Sequence, residues 1–167
     1  MTLLIWNQAT KTLSADGRAC SGDVIETDDF EKIHDLRAQG VWAYAGSLAH
    51  IHKIQEWIDC FSLPPHVEHY TDFKVVLEHC PDVSVEGFYV VDKRCFEWVA
   101  DSEGFRYWPL NYSSARGSGA ISATILLKLR YDNGRVIRAV AETLNTVGSQ
   151  VFTYDSLSGE MEWEVPF

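Results

Sequence analysis

A chain of 167 residues, 46% hydrophobic and 13% aromatic, has enough apolar surface for one well-buried core and too little length for two, so a single domain over 1–167 is expected. Its formal net charge of -10 opposes sequence-independent attraction to nucleic acids and anionic membranes. Arg116, Lys128, Arg130, Arg135 and Arg138 are spaced among apolar positions and form no basic run, so neither partner is expected.

The first elements read as strands and tight turns. Thr2 to Trp6 is a β-branched and apolar run, Asn7 to Thr10 supplies turn residues, and Thr12 to Ala15 resumes the strand before Asp16-Gly17, which predicts a hairpin. Glu31 to Leu36 alternates charged and apolar residues, and Val41 to Ala45 is an apolar run ending at Gly46, which predicts a second strand pair.

From Ser47 the period changes. Leu48, Ile51, Ile54, Trp57, Ile58 and Phe61 recur at three- and four-residue intervals, predicting a helix capped by Ser47 and stopped by Pro64-Pro65. A shorter helix is expected from Thr71 to His79, before Pro81. Strand signals return in Gly87 to Val91, Cys95 to Val99 and Phe105 to Trp108, separated by turn clusters. Two more helical patterns follow "ARGSGA". Ile121, Ile125 and Leu129 form the stripe of the first, and Ile137, Val140, Ala141, Leu144 and Val147 that of the second. Gln150 to Tyr154 and Met161 to Val165 predict a closing hairpin. Strands and helix pairs in this order predict an α+β fold, a four-layer α-β-β-α sandwich of two antiparallel sheets with a helical layer on each outside.

No segment approaches the ~20 apolar residues of a bilayer span, and Leu3 to Ile5 is too short for the apolar region of a secretory signal. Cys20, Cys60, Cys80 and Cys95 have no C-x-x-C spacing and read as reduced packing residues, which with the missing signal predicts a cytoplasmic protein. His50-x-His52, His66-x-x-His69 and His79-Cys80 contain zinc-ligand types. Residues two apart on a helix diverge, however, and His66 and His69 flank a proline-terminated loop, so no metal and no cofactor are expected.

An ordered set of short motifs runs through the chain. Thr2 stands behind a removable Met1, a hairpin leads to Ala15-Asp16-Gly17-Arg18, Lys32 follows, Ala43-Tyr44-Ala45-Gly46-Ser47 ends a strand, and Gly117-Ser118-Gly119-Ala120 opens a helix. This set resembles the proteasome-type N-terminal-nucleophile hydrolases. It is most similar to the bacterial ring-forming peptidase that works with an ATP-dependent unfoldase, and to short proteasome-like proteins of bacteria and their phages.

The resemblance implies a threonine-type peptidase or amidase. Thr2, once Met1 is removed, would be the nucleophile and its α-amine the base. Lys32 would be the electrostatic partner of that amine and Asp16 the partner of Lys32. The Gly46 N–H would be the oxyanion donor, and Ser118 the serine beside the amine. The implied partners are a peptide or unfolded polypeptide substrate, further copies of the chain in a homo-oligomeric ring, and an ATP-dependent unfoldase. The chain departs from the family at Asn145, where an Asp is usual, and carries Tyr44 where glycine is commoner. A degenerate member that keeps the scaffold as an assembly or binding module is the alternative reading.

Overall fold

The computed structural model describes residues 2–21, 24–36, 40–46, 51, 69–70, 85–101 and 104–164. Among them lie thirteen strands and two helices. The strands are β1 (Leu3–Asn7), β2 (Thr12–Asp16), β3 (Ala19–Ser21), β4 (Val24–Thr27), β5 (Ile33–Asp35), β6 (Val41–Ala45), β7 (His69–Tyr70), β8 (Val85–Val91), β9 (Arg94–Asp101), β10 (Gly104–Leu110), β11 (Ser114–Gly117), β12 (Val151–Asp155) and β13 (Met161–Glu164). The helices are α1 (Ala120–Lys128) and α2 (Asn133–Ala141). The helical patterns from Ser47 to Phe61 and from Thr71 to His79 fall outside the described residues apart from Ile51, which is helical and buried. His50, His52, His66 and His79 fall outside them as well.

The strands form a five-stranded sheet in the order β11-β1-β2-β12-β13, a six-stranded sheet in the order β5-β6-β8-β9-β10-β7, and a β3-β4 ribbon. β1 shows why the sheets stack. It is buried on both faces, and its side chains alternate between two clusters. Leu4 and Trp6 join Leu13, Ala15 and Phe152 against Ile33, Ala43, Phe88 and Val90 of the six-stranded sheet. Leu3 and Ile5 face the other way, onto Ala123 of α1 and Val136, Ile137 and Val140 of α2. The Asn7 side chain closes the β1–β2 turn by accepting from the amides of Ala9 and Thr10.

This arrangement corrects the expected four-layer sandwich with a helical layer on each outside. The described residues are mostly strand, and both helices lie on one face of the five-stranded sheet. On the far face of the six-stranded sheet, Trp42, Tyr44 and Trp98 are buried, with the Trp42 and Tyr44 rings each in edge contact with Trp98. Residues that carried no strand signal, in β3, β4, β7 and β11, are strands because neighbouring backbone pairs with them. The expected face of α1 is corrected too. Ile121, Ile125 and Leu129 are exposed, and the helix buries Ala123 with Leu126 and Leu127 packed beside it. α1 is apolar nearly all round, so its periodicity does not select a face. α2 does bury Ile137 and Val140 as expected, and Asp132 caps it by accepting from the Arg135 amide at 2.9 Å. Among the described residues, no helix is long and apolar enough to cross a membrane.

Phe88 has no exposed surface and sits where the two sheets meet. Phe88→Ala is expected to lower the unfolding free energy by about 3–5 kcal/mol, read from the midpoint of urea denaturation at unchanged m-value.

Candidate functional site

The Asp16 carboxylate ends β2 with no solvent exposure. Four donors converge on it. Oδ1 accepts from the Leu3 amide at 2.7 Å and from Lys32 Nζ at 2.8 Å. Oδ2 accepts from the Gly148 amide at 2.9 Å and the Arg18 amide at 3.1 Å. A carboxylate offers about four lone-pair sites, so Asp16 is saturated. The Leu3 amide belongs to the peptide that joins Thr2 to Leu3, so the Asp16 bond fixes that peptide directly.

Lys32 lies just before β5, and its carbonyl accepts from the Tyr44 amide of β6, which attaches it to the six-stranded sheet. Its side chain is 4% exposed. Burial pushes the ammonium down from its ordinary value, and the charge and hydrogen bond of Asp16 oppose that shift without cancelling it. The site therefore spans both sheets, with Thr2 and Asp16 on one and Lys32 on the other.

Thr2 is itself buried. Its carbonyl accepts from the Ser118 amide at 2.9 Å and from Ser118 Oγ at 3.4 Å. β11 makes this possible by pairing with β1 in the register Leu3↔Gly117, which sets Ser118 beside Thr2. Gly117 has φ +94°, and a Cβ there would lie 1.9 Å from the Thr2 carbonyl oxygen, so no other residue fits so close an approach. Gly46 directly follows β6, exposed and with φ +144°. The residue before it, Ala45, stands opposite Glu86 of β8, and the Glu86 carboxylate accepts from the Gly117 amide at 3.1 Å. Gly46 is thereby placed at the end of the six-stranded sheet that meets the Thr2 end of β1.

Further bonds surround the Arg18 and Gly148 amides that reach Asp16. Arg18 pairs with Asp28 through Nε at 2.5 Å and Nη2 at 3.0 Å, and Nη1 donates to the Asn145 carbonyl at 2.6 Å. The bond to Arg18 holds the Asp28 carboxyl below its usual range, and the same bond raises Arg18. Asn145 is exposed and joins this brace through its backbone. What this segment brings to Asp16 is the Gly148 amide. The sequence reading gave no role to Gly148, Asp28 or Glu86. The available signal for Gly148 was a glycine directly after the buried, helix-like pattern ending at Val147, a place where close backbone approach is common.

Asp16 and Lys32 thus form a buried ion pair, Ser118 holds the Thr2 carbonyl, and the Leu3 amide ties the peptide that follows Thr2 to Asp16, with Gly46 following the strand that ends nearby. A buried cation beside the residue that follows Thr2 is an arrangement that can stabilise a developing negative charge. Among the described residues, no group of three His, Cys, Asp or Glu side chains is disposed to hold a metal ion. The chain matches no protein-family model and no curated protein.

Asp16→Asn would turn an amide NH2 toward donors and leave the Lys32 charge buried without its counter-ion. The expected loss of stability is about 3–5 kcal/mol, measured by chemical denaturation at neutral pH, with Asp28→Asn costing about 0–1 kcal/mol because that pair is partly exposed.

Proposed function

We propose that the chain is a threonine-type N-terminal-nucleophile hydrolase of the proteasome type, acting on extended peptide or unfolded polypeptide after loss of Met1. The observation that carries this reading is the Asp16 carboxylate, which binds both the buried Lys32 ammonium and the Leu3 amide next to Thr2. With Met1 removed, the Thr2 hydroxyl attacks the substrate carbonyl carbon and passes its proton to the Thr2 α-amine. Lys32 favours the neutral amine and the developing alkoxide, and the Gly46 N–H receives the oxyanion. The ammonium returns the proton to the leaving amine. Water, deprotonated by the same amine, then hydrolyses the ester. The substrate is expected to lie extended along strand edges at the site.

The scaffold reading is favoured by one observation, the burial of Thr2 at 6% exposure. Determining the N-terminal residue and the reactivity of Thr2 discriminates between the two. The hydrolase reading expects an intact mass lower by one Met residue. It also expects covalent labelling of Thr2 by a peptide α′,β′-epoxyketone, a reagent that needs both the hydroxyl and the free amine. Thr2→Ala and Lys32→Arg should each abolish labelling, because arginine cannot supply the compact ammonium at a buried site.

The pH profile follows from the two titrations. An α-amine ordinarily titrates near about 7.7–8.0, and the Lys32 cation lowers that value, so labelling should rise with pH through a limb below it. It should fall again as Lys32 deprotonates, and burial places that limb below the ordinary value of 10.5. A labelling rate flat from pH 6 to pH 10 would discard the mechanism.

Ile121, Ile125 and Leu129 lie at four-residue intervals on the exposed side of α1, a row of large apolar side chains that supports assembly with further copies of the chain. Sedimentation is expected to show a species several times the 18.9 kDa of the chain. Ile121→Lys with Ile125→Glu should disperse it. A monomer at micromolar concentration would remove the oligomer from the reading.

A further inference from the structure

Among the described residues β11 is an edge strand of the five-stranded sheet, and one row of its backbone groups has no strand partner there. Carboxylates from the other sheet occupy that edge. Glu86 of β8 accepts from the Gly117 amide through Oε1 at 3.1 Å and pairs through Oε2 with Arg116 Nη1 at 3.5 Å. The other terminal nitrogen of Arg116 pairs with Glu97 of β9, whose side chain is 1% exposed and also accepts from Ser114 Oγ at 3.4 Å. The buried Nε of Arg116 has no hydrogen-bond partner among the described residues, so the two carboxylates alone orient the guanidinium. Charge-assisted contacts of this kind are stronger and more directional than neutral ones.

The two ends of this clasp matter. On the five-stranded sheet it grips Gly117, which stands opposite Leu3 and precedes the Ser118 amide that holds the Thr2 carbonyl. On the six-stranded sheet Glu86 is cross-strand neighbour to Ala45, one residue before Gly46. The hydrolase reading needs the Thr2 hydroxyl and the Gly46 N–H at a fixed separation, and they belong to different sheets. An apolar interface resists separation of two sheets but is less specific about sliding, whereas a hydrogen bond has a direction. Resting on the proposed hydrolase reading, we infer that Glu86, locked by Arg116 and Glu97, is a positioning residue that sets the placement of the Thr2 nucleophile relative to the Gly46 oxyanion donor.

The test uses the full chain with a confirmed Thr2 N-terminus and a peptide α′,β′-epoxyketone, with the limiting labelling rate and the half-saturating concentration measured separately. Glu86→Ala is expected to lower the limiting rate about tenfold or more, equivalent to about 1.4 kcal/mol in the barrier. The half-saturating concentration and the unfolding midpoint should stay close to wild type. Glu86→Gln keeps an oxygen for the Gly117 amide and should retain at least about half the rate. A residue that merely stabilises the fold would shift the midpoint and leave the limiting rate of the folded fraction unchanged. If Glu86→Ala does not fold, Glu86→Met, of similar length and without an acceptor, takes its place in the comparison with Gln. Wild-type labelling with an unchanged limiting rate in the folded variant overturns the positioning role and leaves the hydrolase reading intact. Failure of wild-type protein to label overturns both.

Discussion

Four segments, three of them more than ten residues away in sequence, depend on a single carboxylate. Asp16 holds the start of β1 through the Leu3 amide, its own following turn through the Arg18 amide, the segment after α2 through the Gly148 amide, and the opposite sheet through Lys32. The Leu3 and Gly148 amides would be buried donors without an acceptor if Asp16 were replaced by an apolar residue. The energetic asymmetry of hydrogen bonding then works in favour of the native arrangement, since an unmade bond in the interior costs more than a made one contributes.

The partnership with Lys32 is harder to justify as a stability device. Moving an ammonium and a carboxylate out of water costs several kcal/mol per ion, and well-packed apolar side chains of similar volume often serve a fold better. Lys32 remains shifted down by burial even with Asp16 beside it. Three backbone amides occupy the rest of the Asp16 carboxylate. A buried lysine held down by desolvation and paired with a carboxylate is also a feature that recurs at functional sites.

The parts of the fold legible in the sequence are those with a strong local period. β1 and β2 follow from an apolar run interrupted by Asn7, and β8, β9 and β10 from long aromatic and β-branched segments parted by turns. β11 was hidden because Ser-Ala-Arg-Gly has neither alternation nor β-branched residues, and it is a strand only because β1 pairs with it. The exposed face of α1 was misread because Ile121, Ile125 and Leu129 fit the helical period as well as the buried Ala123 does, and size is no guide to which side meets the sheet. For the site, Thr2, Asp16, Lys32, Gly46 and Ser118 were singled out by their order along the chain and by resemblance. Gly148, Glu86 and the Arg18–Asp28 brace act through backbone amides or across sheets, and such partners leave no periodic trace.

Placing the site across two sheets has a cost and a use. Within one sheet, strand register fixes relative positions to a fraction of a residue. Between sheets, placement is left to side-chain packing, where Leu4, Trp6 and Phe152 meet Ala43, Phe88 and Val90. Substitutions in that layer are therefore expected to act on stability and on the relative placement of Asp16 and Lys32 together. The polar ties are concentrated where alignment matters. Asp16–Lys32 and Glu86–Gly117 both join the sheets next to the residues that flank Thr2. The apolar layer resists separation of the sheets, and the directional polar ties, Asp16–Lys32 and Glu86–Gly117 with Arg116–Glu97 behind it, resist their sliding.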